Sequence, residues 1–338
     1  MTEQINVGMI GAGRIGRVHA ENLAYHIPEA NVVAIADIFV EVAEKCAADF
    51  GIPSVFQSHR AIMENDQIDA VVICSSTDTH AQFIEEAAAA GKHIFCEKPI
   101  DFDLKRIDQA LGAVEKASVK LQIGFNRRFD PSFKRVRDMV AGGEIGTPHM
   151  VHIISRDPGP PPIDYIKVSG GIFLDMTIHD FDMARYLIGS KVEEVYAVGG
   201  VMVDPEIGEA GDLDTTLVTL RYANGAIGSI DNSRQAVYGY DQRVEVFGSG
   251  GGIVVANRVP DKAVFSDANG VHAAKPLYFF IERYTDAFIT EMKEFVAAIR
   301  EDKTPPVTGI DGRIPVVMGL AAWKSYRENR PVNLSEID

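Results

Sequence analysis

Three residues that could do acid–base chemistry lie at helical spacing in the segment GGIFLDMTIHDFDMARYLIG, residues 170–189. At 100° per residue, Asp175, His179 and Asp182 fall within an arc of about 60° on one helix face. An imidazole titrates near neutral pH, and a carboxylate one turn away can hold and polarise it. We call Asp175, His179 and Asp182 the stripe. It predicts a general base, His179, oriented by Asp175, with Asp182 binding nearby hydroxyl groups. A solvated polar helix face and a divalent-metal site on the same three residues are the alternatives.

Lys98 is the second candidate for chemistry, and it follows a short apolar run in FCEKPI, residues 95–100. Pro99 has a restricted φ and stiffens the turn after the lysine. A lysine at a strand end is commonly a solvated charge. Beside a bound cofactor, however, its ammonium could lower the pKa of an alcohol, or its amine could accept the alcohol proton.

A glycine turn precedes both of these segments, in VGMIGAGRIGRVHA at residues 7–20. Gly11 permits a tight turn, Gly13 lets the backbone approach a pyrophosphate, and Gly16 lets the following helix pack on the preceding strand. Asp37 ends the second strand, where a carboxylate accepts hydrogen bonds from the adenosine ribose and repels a 2′-phosphate. This predicts NAD rather than NADP, although Arg14 in the turn could reach a 2′-phosphate and leaves the strictness of that choice open.

The segment CSSTDTH, residues 74–80, follows another buried strand. In open α/β sheets, ligands lie beyond the carboxyl ends of the strands. We therefore expect the nicotinamide half of the cofactor to be lined by Ser75, Ser76, Thr77 and His80. Thr79 is equally suited to capping the next helix.

These candidate residues are positioned by an alternation of strands and helices in the first part of the chain. Apolar runs at 5–11, 31–37, 69–76, 93–99 and 120–125, with a weaker one at 54–58, alternate with helical patterns and predict a doubly wound parallel sheet over residues 1–125. After that, one helix and one strand precede the stripe. A succession of strands with Asn-Gly turns then predicts an α+β domain with a largely antiparallel open sheet over 126–338. The two final helices could pack back on the first domain.

Composition restricts the classes of partner. The formal net charge of −15 argues against a nucleic-acid surface and against attraction to an anionic membrane. Apolar runs are shorter than the roughly 18–20 residues that a membrane span needs, and MTEQINVGMIG lacks the features of a signal peptide. The three cysteines form no C-x-x-C pair, so we expect reduced thiols in a cytoplasmic protein.

The sequence resembles the family named for glucose–fructose oxidoreductase, inositol dehydrogenase and the protein MocA, and within it the inositol 2-dehydrogenases. The resemblance spans the chain and depends on GAGRIGRVH (11–19), Asp37, EKP (97–99), GFNRRFDPSF (124–133) and residues 170–187. It implies that Lys98 and His179 handle the proton of the substrate hydroxyl while Asp175 orients the imidazole. The substrate-binding residues implied are Lys98, Arg128, Asp157, Asp182, Tyr238 and Tyr240. Many relatives have an asparagine at the position of Asp157.

The implied activity is NAD-dependent oxidation of a cyclic polyol, myo-inositol to 2-keto-myo-inositol, by a cytoplasmic homotetramer without a metal. The residues expected to contact NAD are Gly11, Gly13, Arg14, Ile15, Gly16, Asp37, Ser75, Ser76, Thr77, His80, Glu97, Lys98, Arg127 and Tyr284. Three alternatives stay open. They are a dehydrogenase for scyllo-inositol, another isomer or a pyranose sugar, an NAD-binding regulator without turnover, and a metal-dependent hydrolase acting through the stripe.

Overall fold

The computed structural model describes residues 4–338, whose contacts divide into two compact units. The first unit runs to Phe129 and also contains Asp286–Ile314. The second unit contains Asp130–Thr285 and Pro315–Asp338. The first division therefore lies close to the boundary expected after Phe125, and a segment near the C-terminus returns to the first unit.

Six parallel strands form the centre of the first unit, in the order β3-β2-β1-β4-β5-β6. The strands are β1 (Ile5–Ile10), β2 (Ala30–Ala36), β3 (Ser54–Phe56), β4 (Ala70–Ile73), β5 (His93–Glu97) and β6 (Leu121–Gly124). The connecting helices are α1 (Arg14–His26), α2 (Val40–Phe50), α3 (Arg60–Met63), α4 (Thr77–Ala89) and α5 (Leu104–Ala117), and a 3₁₀ turn covers Asn126–Phe129. This strand order is that of the doubly wound dinucleotide-binding sheet, so the predicted fold of this part is confirmed.

The strands read as unbroken apolar runs because helices cover both faces of the sheet. All four residues of β4 are buried, and so are the three central residues of β5. The helix Thr285–Arg300 adds Met292, Phe295 and Val296 to the same core as Val7 and Met9 of β1. That packing explains why this segment belongs to the first unit.

After Phe129 the chain forms the helix-covered sheet and the small hairpin of the second unit, and it also includes the helix Thr285–Arg300 of the first unit. In chain order its elements are α6 (Pro131–Ala141), β7 (Pro148–Arg156), α7 (Ile163–Ile166), α8 (Ile172–Asp175), α9 (Thr177–Ile188), β8 (Val192–Gly200), α10 (Pro205–Glu209), β9 (Thr215–Tyr222), β10 (Ile227–Ser233), β11 (Asp241–Gly248), β12 (Gly251–Val255), β13 (Val264–Asp267), β14 (Gly270–Ala273), α11 (Phe280–Arg283), α12 (Thr285–Arg300), α13 (Gly309–Glu328), β15 (Val332–Asn333) and a 3₁₀ turn at Leu334–Glu336. The division between units falls inside α13, after Ile314. Over residues 4–338, no helix has both the length and the apolar character that crossing a bilayer requires.

The sheet of the second unit has seven strands in the order β12-β11-β7-β10-β9-β8-β15. Only β7 and β10 run parallel to each other, and the other neighbours are antiparallel. Gly225, at φ +86°, follows Asn224 in the turn between β9 and β10, as the Asn-Gly pair predicts. The expected α+β domain with a largely antiparallel sheet is confirmed.

One detail differs from the single helix expected over 170–189. The helix is interrupted at Met176, so that α8 ends at Asp175 and α9 begins at Thr177. Gly189, at φ +70°, ends α9 in the left-handed conformation that glycine adopts most easily. Asp175 therefore lies on a different helix from His179 and Asp182, and an ideal helical wheel does not describe the three side chains.

Candidate functional site

The glycine turn of the first unit has the geometry that a bound pyrophosphate requires. Gly11 has φ +97°, and a Cβ there would lie 2.5 Å from the carbonyl oxygen of Cys74. A Cβ on Gly16 would overlap the carbonyl oxygen of Gly11, whereas a Cβ on Gly13 would meet nothing within 4 Å. The open backbone at Gly13 leads into α1, which has no acidic residue in its first turn. The residues present therefore fit a dinucleotide.

Asp37, directly after β2, is hydrogen-bonded to the glycine turn itself. Its Oδ2 accepts a hydrogen bond from the backbone N–H of Ala12 at 2.7 Å, and its Oδ1 accepts one from Phe39 at 2.9 Å. A carboxylate has about four acceptor positions, so two remain for ribose hydroxyls. Support of the turn is a role of Asp37 that sequence reasoning missed. Arg14 is exposed at the first position of α1.

The loop after β4 is held together by its own side chains. Ser75 Oγ and Thr79 Oγ1 lie 2.7 Å apart, and Thr79 also donates to the carbonyl of Ser76 at 2.7 Å. Ser76 is exposed, and Thr77 is half-buried at the start of α4.

His80, in contrast, is buried beneath this loop. Its Nε2 lies 3.0 Å from the carbonyl oxygen of Ser75 and its Nδ1 lies 2.7 Å from that of Pro99. Burial lowers the pKa of His80, so the neutral ring donates to one of these two oxygens. The side chain joins the loop after β4 to the turn after β5, and this turn carries Lys98.

Lys98 follows β5 and is half-buried, and its peptide bond to Pro99 is cis. The preceding Glu97 accepts a hydrogen bond from His19, with Nε2 and Oε1 2.7 Å apart. The 3₁₀ turn after β6 carries the two arginines of the NRRF segment. Arg127 is buried, and Arg128 donates to Asp311 at 2.9 Å.

In the second unit, Asp175 belongs to a buried ionic network. Its Oδ1 accepts a hydrogen bond from the Tyr165 hydroxyl at 2.8 Å, and its Oδ2 accepts one from Arg234 at 3.2 Å. The same guanidinium donates to Asp212 at 3.1 Å. The Asp212 carboxylate in turn accepts a hydrogen bond from the backbone N–H of Ile172 at 2.8 Å and so holds the start of α8. No sequence motif distinguishes Arg234, Asp212 or Tyr165, and all three were missed.

The two stripe residues on α9 differ in exposure. His179 is half-buried, whereas Asp182 has no exposed surface. Asp175, with a side chain 14% exposed, and His179 are therefore the two stripe residues with access to solvent. Within residues 4–338, the three stripe residues do not form a cluster of metal-ligand atoms lying within 4.8 Å of one another.

The tyrosines expected near the substrate lie in two different environments. Tyr238 is 38% exposed, and its hydroxyl donates to Asp241 at 2.5 Å and accepts from Arg156 at 3.1 Å. Tyr240 and Tyr284 are buried with their ring centroids 6.1 Å apart in an edge-on contact. Asp157, just after β7, is half-buried and pairs through its backbone with Ser233 and Ala236.

Comparison with known proteins accounts for both units. Residues 5–125 match the oxidoreductase family model described as an NAD-binding Rossmann fold, and residues 133–254 match the GFO/IDH/MocA C-terminal domain. The chain belongs to the GFO/IDH/MocA oxidoreductase family. It is 49% identical to a myo-inositol 2-dehydrogenase of Thermotoga maritima over 98% of this chain and 99% of that protein. The family resemblance, the dehydrogenase class and the NAD cofactor expected from the sequence are thereby confirmed.

Two further relatives show the range of substrates near this chain. A scyllo-inositol 2-dehydrogenase (NAD(+)) of Bacillus subtilis is 36% identical over 99% of this chain and 97% of that protein. This chain also superposes on a scyllo-inositol dehydrogenase from Lactobacillus casei, whose crystal structure contains NAD(H) and scyllo-inositol. The TM-score is 0.92 at 29% identity, and the match covers 98% of this chain and 100% of that chain. The relatives that match this chain over its full length therefore include enzymes named for two inositol isomers.

Proposed function

We propose that this chain oxidises a cyclic polyol with NAD, and that its preferred reaction converts myo-inositol at C2 to 2-keto-myo-inositol. The observation that carries the proposal is the full-length identity of 49% to a myo-inositol 2-dehydrogenase, together with a lysine, a histidine and an aspartate of suitable chemistry. Lys98 belongs to the first unit, and Asp175 and His179 belong to the second. We propose that the three act on one hydroxyl group.

Oxidation of an alcohol removes a hydride from the carbinol carbon and a proton from its oxygen. When bound, NAD supplies the hydride acceptor. In our proposal His179 accepts the hydroxyl proton, Lys98 lowers the pKa of that hydroxyl or shares its proton, and Asp175 holds the imidazole. Arg234 and Tyr165 hold Asp175 in place through the hydrogen bonds described above. The carbinol becomes a carbonyl, and the proton leaves through the histidine.

We infer that NAD is held by the turn Gly11, Gly13, Arg14, Ile15 and Gly16, with Asp37 on the adenosine ribose. Ser75, Ser76, Thr77, Glu97, Lys98, Arg127 and Tyr284 complete the proposed cofactor set, with His80 supporting the loop from below. For the substrate hydroxyls we propose Lys98, Arg128, Asp157, Tyr238, Tyr240 and Asp182. Because Asp182 is fully buried, its proposed contact requires an opening of the region around α9.

A second candidate substrate is scyllo-inositol, favoured by the 36% identity to the scyllo-inositol enzyme of Bacillus subtilis. The two isomers differ in the orientation of a single hydroxyl, so the same proton-handling residues serve both. Production of NADH should be measured with myo-inositol, scyllo-inositol, other inositol isomers and pyranose sugars, each with NAD and with NADP. We expect the highest kcat/KM with NAD and myo-inositol. A higher value for another substrate would replace that assignment, and absence of turnover with every substrate would favour the regulator alternative.

We also propose that the protein is a homotetramer of the cytoplasm. Large apolar side chains are exposed on one face of the sheet in the second unit, namely Val198, Leu217, Ile227, Phe247 and Val254. An exposed apolar patch of this kind marks an interaction surface, and a second copy of the chain is the occupant we propose. All three cysteines are buried thiols, as a reducing compartment allows. Light scattering of wild type and Leu217→Asp checks the assembly, and a smaller species is expected for the variant.

A further inference from the structure

A buried cluster of His19, Glu97 and Glu291 lies in the first unit. Glu97 belongs to the proposed cofactor set, whereas His19 and Glu291 have no part in the mechanism above. The residues come from α1, β5 and α12, and one polar atom of each lies within 4.8 Å of the other two. His19 and Glu291 have no exposed surface, and the Glu97 side chain is 12% exposed. Because Lys98 follows Glu97 directly in the chain, the cluster bears on the turn that carries a proposed catalytic residue.

His19 fixes one oxygen of Glu97. Its Nε2 lies 2.7 Å from Oε1 of Glu97, and its Nδ1 has no hydrogen-bond partner. The ring lies edge-on to Phe95 and Phe288, at centroid distances of 5.1 and 5.8 Å. The tautomer with its hydrogen on Nε2 suits these surroundings, because Nδ1 is buried without an acceptor for a hydrogen. On the other side, a Cβ at Gly124 would lie 2.9 Å from Oε2 of Glu97.

Glu291 is the unusual member of the cluster. Both of its carboxyl oxygens are buried and have no hydrogen-bond partner, while its backbone carbonyl accepts a hydrogen bond from Gln122 at 2.9 Å. Burial raises the pKa of Glu291 well above its usual range, and the negative charge of Glu97 raises it further. Burial and the neighbouring charge therefore both favour the neutral, protonated form of Glu291.

Two thiols lie near the cluster, and their burial favours the neutral form of each. Cys74, after β4, and Cys96, on β5, are buried, and burial followed by the charge of Glu97 raises the pKa of both thiols. Beyond them, Glu97 and Lys98 both act electrostatically on His80. With Glu291 and the two thiols neutral, Glu97 presents a single negative charge next to the Lys98 turn.

A shared metal ion does not fit this geometry. Two ligand atoms on a tetrahedral zinc ion lie about 3.3 Å apart, given metal–ligand distances of about 2.0–2.1 Å. His19 Nε2 and Glu97 Oε1 are separated by 2.7 Å, which is a direct hydrogen bond. His19 and Glu97 are therefore joined by a hydrogen bond and do not have the spacing of two ligands on one zinc ion.

We propose that Glu291 is a positioning residue for Lys98, acting as a neutral carboxylic acid that caps the buried side of Glu97. Rotation of the Glu291 side chain brings its O–H to Glu97, which is then held by hydrogen bonds from His19 and Glu291. The fixed carboxylate keeps the Lys98 turn in place and keeps one unit of negative charge beside it. Ionisation of Glu291 at high pH adds a second buried negative charge and loosens the turn. The catalytic consequence rests on the proposed function, whereas the protonation of Glu291 does not.

Infrared difference spectroscopy tests the protonation without any substrate. At pH 7 the wild-type protein should show the C=O stretch of a buried carboxylic acid, and Glu291→Gln should lack it. Glu294→Gln, one turn further along the exposed side of α12, is the matched control and should keep the band. A spectrum unchanged by Glu291→Gln would overturn the proposal. So would zinc bound stoichiometrically by wild type and lost in Glu291→Gln.

Two variants separate positioning from simple packing. Gln reproduces the shape and the hydrogen-bonding capacity of the neutral acid, so Glu291→Gln should keep kcat within about threefold of wild type at pH 7 and should abolish the high-pH loss that Glu291 causes. Leu fills the space without a donor, so Glu291→Leu should lower kcat at least tenfold with little change in KM for NAD. Equal turnover of the Gln and Leu variants would show that Glu291 only fills space.

The NMR signal of Lys98 reports the environment of its side chain and does not depend on the proposed activity. The lysines can be labelled by reductive ¹³C-methylation, and the NMR signal of Lys98 is assigned by its loss in Lys98→Arg. At pH 7 the signal should have the same chemical shift in wild type and Glu291→Gln, and it should be displaced in Glu291→Leu because the turn is no longer held. If the protein oxidised no polyol but this pattern held, the proposed function would fail and the positioning role would stand. Identical chemical shifts in all three proteins would overturn the role.

Discussion

Replacing Arg234 by Met removes the one guanidinium that bridges Asp175 and Asp212. Arg234 is 1% exposed, the Asp212 side chain is 4% exposed, and that of Asp175 is 14% exposed. Removal of one partner from a buried ion pair costs about 3–5 kcal/mol, chiefly because a charge is left buried without compensation. Asp175 keeps its hydrogen bond from Tyr165, so we expect the lower end, a loss of about 3 kcal/mol in the free energy of unfolding.

Urea unfolding followed by circular dichroism measures this loss. Arg221→Met is the matched control, because the Arg221 side chain is 68% exposed and its pair with Glu194 spans 3.4 Å; exposed pairs contribute about 0–1 kcal/mol. In an Asp212→Asn background, Arg234→Met should cost less, since one of the two uncompensated charges is already gone. A loss below about 1 kcal/mol, or an equal loss in both backgrounds, would refute the ionic account of this network.

Two further predictions concern the cofactor. Gly16→Ala should weaken NAD binding at least tenfold, measured by isothermal titration calorimetry, because the added Cβ overlaps the Gly11 carbonyl. The control is Gly112→Ala, which adds a Cβ in open space on α5 and should leave the affinity unchanged. An unchanged affinity in Gly16→Ala would show that the turn tolerates displacement. Asp37→Ala should lower NAD affinity and relax discrimination against NADP, because it removes both the ribose acceptor and the hydrogen bond from Ala12. If the ratio of kcat/KM with NAD to kcat/KM with NADP stayed constant, another residue such as Arg14 would set the selectivity.

Much of the fold could be predicted because its elements are locally encoded. Each strand of the first sheet is a short apolar run bounded by polar or glycine residues, and burial on both faces makes such runs unbroken. The same local signals do not say which sheet a helix covers. The helix Thr285–Arg300 was expected from its periodicity, yet its packing under β1 through Met292 and Phe295 depends on contacts with residues far away in the sequence.

The candidate site was predictable where residue type alone indicates chemistry, and less so where burial decides. Lys98, His179 and the glycines stand out by type and spacing. Arg234, Glu291 and His19 look like ordinary polar residues in the sequence, and only the packed structure shows that they are buried against opposite or unexpected partners. Asp182 shows the converse, because helical spacing placed it on the same face as His179 whereas the packing of α9 buries it.

Lys98 and His179 belong to different units, and in the proposed mechanism they handle one proton. The most direct measurement is the turnover number of Lys98→Ala, His179→Ala and the double variant, with NAD affinity determined for each. Each single change should lower kcat at least about 10²-fold while NAD still binds. Because both residues act on the same proton, the double variant should fall no more than about tenfold below the weaker single variant. Wild-type turnover in either single variant, or losses that multiply in the double variant, would contradict the account.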